Sequence, residues 1–109
     1  MQAFLQTNTL LEKALLKIDR WARDYNKRNE NDVKIQQIWY SDRDMEEPRD
    51  TLFVITECKY SDTLEDAVTQ IDLEIHQEFH LGLNFQTWPC GYENAKKYGF
   101  LEKIFDYTE

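Results

Sequence analysis

The sequence predicts one α/β (α+β) domain over residues 1–109, in which helices cover a small mixed sheet of about three to four strands. Three observations lead to this fold class. A chain of 109 residues with 41% hydrophobic and 14% aromatic content suits a single globular core. Helical and strand-like periodicities alternate along the chain. Neither an internal repeat nor a low-complexity linker divides it.

The first half of the chain predicts a helix and then two strands. Apolar residues recur at three- and four-residue spacing in TLLEKALLKIDRWARDYNKR, where Thr9 and Glu12 form a capping-box signature. The polar stretch 26–31 marks the end of this helix. VKIQQIWY and TLFVITEC have the composition of strands, and a roughly ten-residue acidic loop separates them. The apolar run from Leu52 to Ile55 predicts a central strand covered on both faces, but whether the two strands pair as a hairpin stays open.

The second half predicts helix, strand and helix. SDTLEDAVTQIDLEIHQEF has helical period, with Ser61, Asp62 or Thr63 available as the N-cap. LGLNFQTW alternates between apolar and polar residues, as a half-buried strand does. YENAKKYGFLEKIFDY then predicts a last amphipathic helix, broken at Gly99. The predicted order is therefore helix, strand, strand, helix, strand, helix.

Charge and cysteine content limit the classes of function. The net charge of -8 opposes non-specific binding to nucleic acid, and no apolar run approaches the roughly 20 residues of a membrane-spanning helix. The N-terminus lacks the features of a signal peptide. Two cysteines are too few for a disulfide scaffold, so we expect a reducing, cytoplasmic location. Cys58 and Cys90 are expected to be free and buried as small hydrophobes, rather than to form a redox or metal pair.

The uneven distribution of charge predicts an interaction face. Between Asp62 and Glu93 there are seven acids and no Lys or Arg, whereas the first predicted helix carries six bases. We expect the acids to meet a protein partner or a second copy of the chain, although a solvated charged face would give the same pattern. The predicted face consists of Asp62, Glu65, Asp66, Glu74 and Glu78.

A possible metal site lies on the second predicted helix. His76 and His80 are four residues apart, and Asp72 falls on the same stripe one turn earlier. The spacing does not fit a zinc protease, because the Glu that should follow the first His directly is at position 78. The alternative is that both histidines flank the apolar face and meet Asp72 and solvent.

The stretch IWYSDRDMEEPRDTLFVIT resembles the active-site region of small nucleotidyltransferase domains of the polymerase-β type. In that family a strand ends in an aliphatic-Phe-Gly-Ser turn, and an Asp-x-Asp strand with an apolar tail follows. Here the strand end falls on residues 38–40, the turn serine is Ser41, and TLFVIT matches the tail. The closing YGFLEKIFDY is similar to the family's C-terminal helix. The resemblance implies a nucleotidyltransferase-like architecture.

Departures from the family pattern imply that catalysis has been lost. The family's glycine is Tyr40 here, and the two metal-binding aspartates fall on Arg49 and Thr51. Asp50 is the one acid that a shifted register would place on the strand, and the third acid position meets Asn84 or Gln86. Two-metal phosphoryl transfer needs convergent carboxylates, so a single acid does not support it.

Three functions follow as hypotheses. The leading one is a non-catalytic nucleotidyltransferase-like domain, a pseudoenzyme that acts through protein contacts in a regulatory or accessory role and needs no cofactor. The second is a divergent metal-dependent nucleotidyltransferase or nucleotide-binding protein that uses Ser41, Asp42, Asp44 and Asp50 with Mg²⁺. The third is an acidic inhibitor or immunity-type protein. In the leading reading, the acids of residues 42–47 belong to a solvated loop.

Overall fold

A computed structural model describes residues 9–44, 47–91 and 102–108, with side chains described over 10–42, 49–91 and 102–108. Two helices and four strands follow one another along these residues. They are α1 (Thr9–Arg28), β1 (Ile35–Asp44), β2 (Glu47–Thr56), α2 (Asp62–Phe79), β3 (Asn84–Pro89) and β4 (Glu102–Asp106).

The four strands form one mixed sheet in the order β3-β2-β1-β4. β1 pairs antiparallel with both β2 and β4, whereas β2 and β3 are parallel and are connected through α2. A parallel pair needs such a crossover, and a helix is its usual form. The predicted mixed sheet of three to four strands with helical cover is therefore confirmed.

The predicted ten-residue acidic loop is wrong, because both strands continue into it. β1 runs to Asp44 and β2 begins at Glu47, and these two residues are paired in the antiparallel register. Backbone pairing with β1 extends β2 beyond its apolar run, independently of side-chain type. Pro48 is tolerated in the ladder because, among the described residues, the pairing of β3 with β2 begins only at Thr51.

The predicted C-terminal helix is wrong over residues 102–106, which form β4. This strand pairs with β1, with Phe105 opposite Ile38 and Asp106 opposite Gln37. The exposed edge of β1 offers unpaired backbone groups, and pairing with them outweighs the local helical pattern of so short a segment. Residues 92–101, which include Gly99, lie outside the described part of the chain.

Helices α1 and α2 pack on one face of the sheet. The main core contains the predicted apolar stripe of α1, the inward residues of α2, and Ile38, Leu52 and Val54 from the central strands. Phe53 and Ile55 alternate to the opposite face, where Trp39 and Trp88 pack against them. Residues 52–55 are all 4% exposed or less, so the prediction of a central strand covered on both faces is confirmed.

The second helix has defined caps at both ends. The Ser61 hydroxyl accepts a hydrogen bond from the Leu64 backbone N–H at 3.1 Å, which identifies Ser61 among the three predicted N-cap candidates. His80 ends the helix in the left-handed conformation with φ of 55°, and its N–H donates to the His76 carbonyl. These caps define the two ends of α2.

Candidate functional site

Ser41 and Asp50, two of the four predicted catalytic residues, point to opposite faces of the sheet. Ser41 is buried at 1% exposure and lies opposite Thr51, whose side chain alternates to the face of the sheet opposite α1 and α2. Asp50, one residue earlier, points to the other face, where its carboxylate accepts a hydrogen bond from the Tyr40 hydroxyl at 2.7 Å. Asp42 is exposed, and the side chain of Asp44 lies outside the described residues.

Tyr40 and Asp50 form a hydrogen-bonded pair beside the other predicted catalytic residues. Burial raises the pKa of the Tyr40 hydroxyl, and the hydrogen bond to Asp50 raises it further. The hydroxyl is thus held in its protonated, donating form.

The histidine pair does not remain on one helical stripe. His76 and His80 are both exposed, but His80 has left the helix as its left-handed C-cap. Asp72 is half-buried, and this burial raises the pKa of its carboxyl while the nearby His76 opposes the rise. Across the described ranges, no group of three or more His, Cys, Asp or Glu side chains is close enough to hold a metal ion.

The expectation of two free, buried cysteines is wrong. Cys58 and Cys90 are both exposed, and they form a disulfide with their Cα atoms 4.5 Å apart. Cys58 lies two residues beyond β2, and Cys90 directly follows β3. The parallel pairing of these strands brings their ends together, a relation that sequence spacing does not reveal.

A groove of about 760 Å³ lies between α1 and α2 on the side away from the sheet, and we call it the interhelical groove. Its floor is largely apolar. Trp21 and Phe79 are half-buried there beside Ala67 and the buried Ile71, and Leu16 stands at the rim with 56% exposure. The volume falls within the range of protein ligand sites, and its open form suits an extended partner.

The α1 wall of the interhelical groove is basic. Four bases and one acid line it, and all of them lie on the outward stripe of the helix. They are Lys13, Lys17, Arg20, Arg28 and Asp24. Lys13, Arg20 and Arg28 form no ion pair with any other residue that the structure describes. Their charges are therefore available to a bound partner.

The α2 wall is acidic and is tied to α1 at one point. Lys17 Nζ lies 2.5 Å from Glu78 and 3.4 Å from Glu74, and the hydrogen bond to Glu78 raises the pKa of the lysine. Both carboxylates belong to the acidic face predicted from the sequence. The other three residues of that face, Asp62, Glu65 and Asp66, lie outside the groove lining, and Asp62 and Glu65 occupy the first turn, where acids favour the helix dipole.

One end of the groove is closed by the junction of α1 with the start of α2. Tyr25 of α1 is 5% exposed, and burial raises the pKa of its hydroxyl, an effect that the nearby Ser61 hydroxyl reduces. A hydrogen bond from Ser61 lowers the pKa of Asp32, and the Val33 N–H donates to the same carboxylate at 2.7 Å. Arg28 at the end of α1 and Thr63 at the start of α2 line the same groove, and Lys17 meets Glu78 near the end of α2, so the two helices run antiparallel.

Sequence reasoning found both charged walls but not the groove. The bases of α1 and the acids of α2 were visible as a charge asymmetry. The sequence does not show that the two helices lie side by side on one face of the sheet. The residues that could have revealed it are Lys17 and Glu78, which are oppositely charged but 61 positions apart.

Comparison with known protein families, curated proteins and solved structures finds no match to this chain. Within the described residues, no helix combines the length and the apolar character that crossing a membrane requires.

Proposed function

We propose that this chain is a non-catalytic domain that acts by binding an amphipathic helix of a partner protein in the interhelical groove. The single observation that carries the proposal is the arrangement of that groove, with an apolar floor between a basic α1 wall and an acidic α2 wall. Helix-in-groove recognition uses such a floor for affinity, and the flanking charges set the orientation of the ligand. The role is regulatory or accessory.

The dimensions of the groove support a helical occupant. The lining on α1 extends from Lys13 to Arg28, a length of about 22 Å at 1.5 Å per residue. A bound helix of about 15 residues would match this length. Its apolar ridge would cover Trp21 and Phe79, with acids toward α1 and bases toward α2.

The unpaired bases favour an acidic flank on the partner. Lys13 and Arg20 flank the exposed Leu16 on α1, so an apolar contact and two charge contacts are within reach of one ligand surface. Rim charge pairs of this kind contribute about 0.2–1 kcal/mol each and are screened by salt. Binding should therefore weaken with added salt, while the apolar floor supplies most of the affinity.

Two observations support a non-catalytic role over the nucleotidyltransferase alternative. Ser41 and Asp50 point to opposite faces of the sheet, and Asp50 is engaged by Tyr40. A descent from polymerase-β-type nucleotidyltransferases, with the catalytic motifs lost, accounts for the sequence resemblance and belongs to the same proposal. A cytoplasmic location also remains a prediction.

The test uses photo-crosslinking from two exposed leucines. A photoreactive phenylalanine analogue replaces Leu16, which lines the groove, or Leu73, which is 48% exposed on α2 outside the lining. We expect a partner protein to become crosslinked to the analogue at position 16 and not to the analogue at position 73. The captured protein is then identified by its peptides, purified, and titrated against the chain by isothermal calorimetry.

Matched variants then assign the binding surface. Leu16→Asp should weaken binding at least tenfold and Leu73→Asp should leave it unchanged. Arg20→Glu should weaken binding about two- to tenfold, whereas Lys27→Glu, the same charge change outside the groove lining, should not. Equal capture from both positions would contradict the assigned surface. A crosslinked pair of this chain would identify a second copy as the occupant and overturn the heteromeric proposal.

A further inference from the structure

The ends of β2 and β3 carry a chemically reactive feature that the proposed function does not use. Cys58 and Cys90 are both exposed, and their disulfide closes a loop with a sequence separation of 32. This loop contains the whole of α2. The bond therefore links the two ends of the β2-α2-β3 crossover at the surface of the protein.

The backbone holds the two cysteines together without help from the sulfur atoms. The Cys90 N–H donates to the Thr56 carbonyl at 3.0 Å, and Cys90 has φ of 57°, in the left-handed region. On the other side, the Glu57 N–H donates to the Lys34 carbonyl at 3.2 Å, and the Glu57 carboxylate accepts from the Lys34 N–H at 2.7 Å. Both cysteines are thus anchored by neighbours that remain when the bond is broken.

We propose that Cys58 and Cys90 form a reversible thiol–disulfide switch that exchanges with small-molecule thiols and disulfides and tightens the β2-α2-β3 crossover when oxidised. Exposure gives a low-molecular-weight thiolate access to either sulfur atom. Anchoring keeps the reduced thiols close, so the bond forms again within the molecule. The switch is independent of the proposed function, because it is defined by the chemistry of this pair.

Oxidation proceeds by two exchange steps. The thiolate of one cysteine attacks a sulfur atom of a low-molecular-weight disulfide, forms a mixed disulfide and releases one small thiolate. The thiolate of the other cysteine then attacks the protein sulfur of that mixed disulfide and releases the second small thiolate. Two protein thiols lose two electrons and two protons in total, and the small disulfide gains them as two thiols. Reduction is the reverse sequence.

The position of Cys58 gives the switch a structural readout. Ser61, three residues later, caps α2 by accepting a hydrogen bond from the Leu64 N–H. The disulfide restrains the segment that leads into this cap. Reduction should therefore raise hydrogen exchange at the Leu64 amide more than at the Val54 amide in the central strand.

The full chain is equilibrated in glutathione buffers of graded thiol-to-disulfide ratio, and free thiols are counted by alkylation and mass spectrometry. As the buffer becomes more reducing, we expect the folded protein to change from zero to two free thiols per molecule. Molecules with a single free thiol should be few at every ratio. The reduced form should unfold roughly 16 °C lower, from the loop size and the chain length. The double variant Cys58→Ser with Cys90→Ser should show the lower midpoint at every ratio.

Three results would overturn the switch. The first is two free thiols at every ratio, and the second is a bond that glutathione reduces only after the chain unfolds. The third is equal exchange changes at Leu64 and Val54, which would remove the coupling to α2. None of these readouts involves the interhelical groove, so their failure would leave the proposed function standing, and loss of groove binding would leave the switch standing.

Discussion

Replacing Gly91 with alanine tests whether close packing at the end of β3 stabilises the sheet. A Cβ atom at this position would lie 2.5 Å from the Trp88 Cβ and 2.9 Å from the Ile55 Cδ1. Carbon atoms in contact are normally 3.5–4.0 Å apart, so the overlap is about 1 Å. Ile55 is fully buried in a central strand, and Trp88 packs against Phe53 with ring centroids 4.5 Å apart and ring planes tilted by 52°, so neither can move freely.

Overpacking of this kind costs about 1–3 kcal/mol in the free energy of unfolding. A chain of 109 residues has an unfolding entropy of about 230 cal/mol/K, so Gly91→Ala should lower the thermal midpoint by roughly 4–13 °C. Differential scanning calorimetry measures this midpoint directly. Urea unfolding followed by far-UV circular dichroism gives an independent free energy.

Gly82→Ala is the matched control for this prediction. A Cβ at Gly82 would meet no atom within 4 Å, and neither glycine has a positive φ. Both substitutions restrict the unfolded chain equally, so their difference isolates the clash in the folded state. We expect Gly82→Ala to match or slightly exceed the parent midpoint. Equal midpoints for the two variants would refute the packing argument.

Three further outcomes are expected. Ser61→Ala should cost about 0.5–2 kcal/mol by removing the α2 N-cap, whereas Thr69→Ala should cost less in the same urea titration. Tyr107→Phe should cost about 1.5–3 kcal/mol at pH 7, because the Tyr107 hydroxyl donates to Asp19 at 2.7 Å. Burial raises the pKa of the Tyr107 hydroxyl above its value in the unfolded chain. The hydroxyl therefore stabilises the fold fully below pH about 10, and this stabilisation is lost as the pH rises further. The difference in unfolding free energy between the parent and Tyr107→Phe should shrink over that higher pH range. The Thr108 hydroxyl is the main cause that holds the pKa of Asp106 well below its ordinary range. The ionised Asp106 therefore stabilises the parent relative to Asp106→Asn at neutral pH. This difference in the free energy of unfolding should disappear as the pH falls below about 4.

The elements with a strong periodic signal were predictable from sequence. The apolar stripe of α1 and the four-residue apolar run of β2 each express burial that the final fold requires, so pattern and structure agree. The sequence offered three neighbouring residues as the N-cap of α2, and the backbone geometry of the structure identifies Ser61 among them. Local signals were sufficient wherever burial or capping acts within a few residues.

The elements that depend on distant partners were not predictable. β4 forms because Phe105 and Asp106 meet the edge of β1, nearly 70 positions earlier, and five residues hold too little periodicity to reveal it. The cysteine pair depends on the parallel register of β2 with β3. The predicted cytoplasmic location rested partly on reading Cys58 and Cys90 as unpaired, so their bond removes that support.

In the candidate site, too, local features were predictable from the sequence and contacts between distant residues were not. The sequence showed that bases are concentrated in α1 and acids in α2, and the acids were placed on one interaction face. The structure instead sets the bases beside Glu74 and Glu78, with Lys17 between them. Helical period gives the direction of each stripe but not the neighbour that each helix will have.

The pairing of β4 with β1 has a consequence for synthesis of the protein. Asp44 and Glu102 are separated by more than 50 residues, which a ribosome adds in about 3–12 s. During that interval β1 can pair with β2, but β4, its other neighbour among the described strands, has not yet been synthesised. Nascent chains that stall before residue 102 would therefore present an open β edge, where premature association with other chains begins.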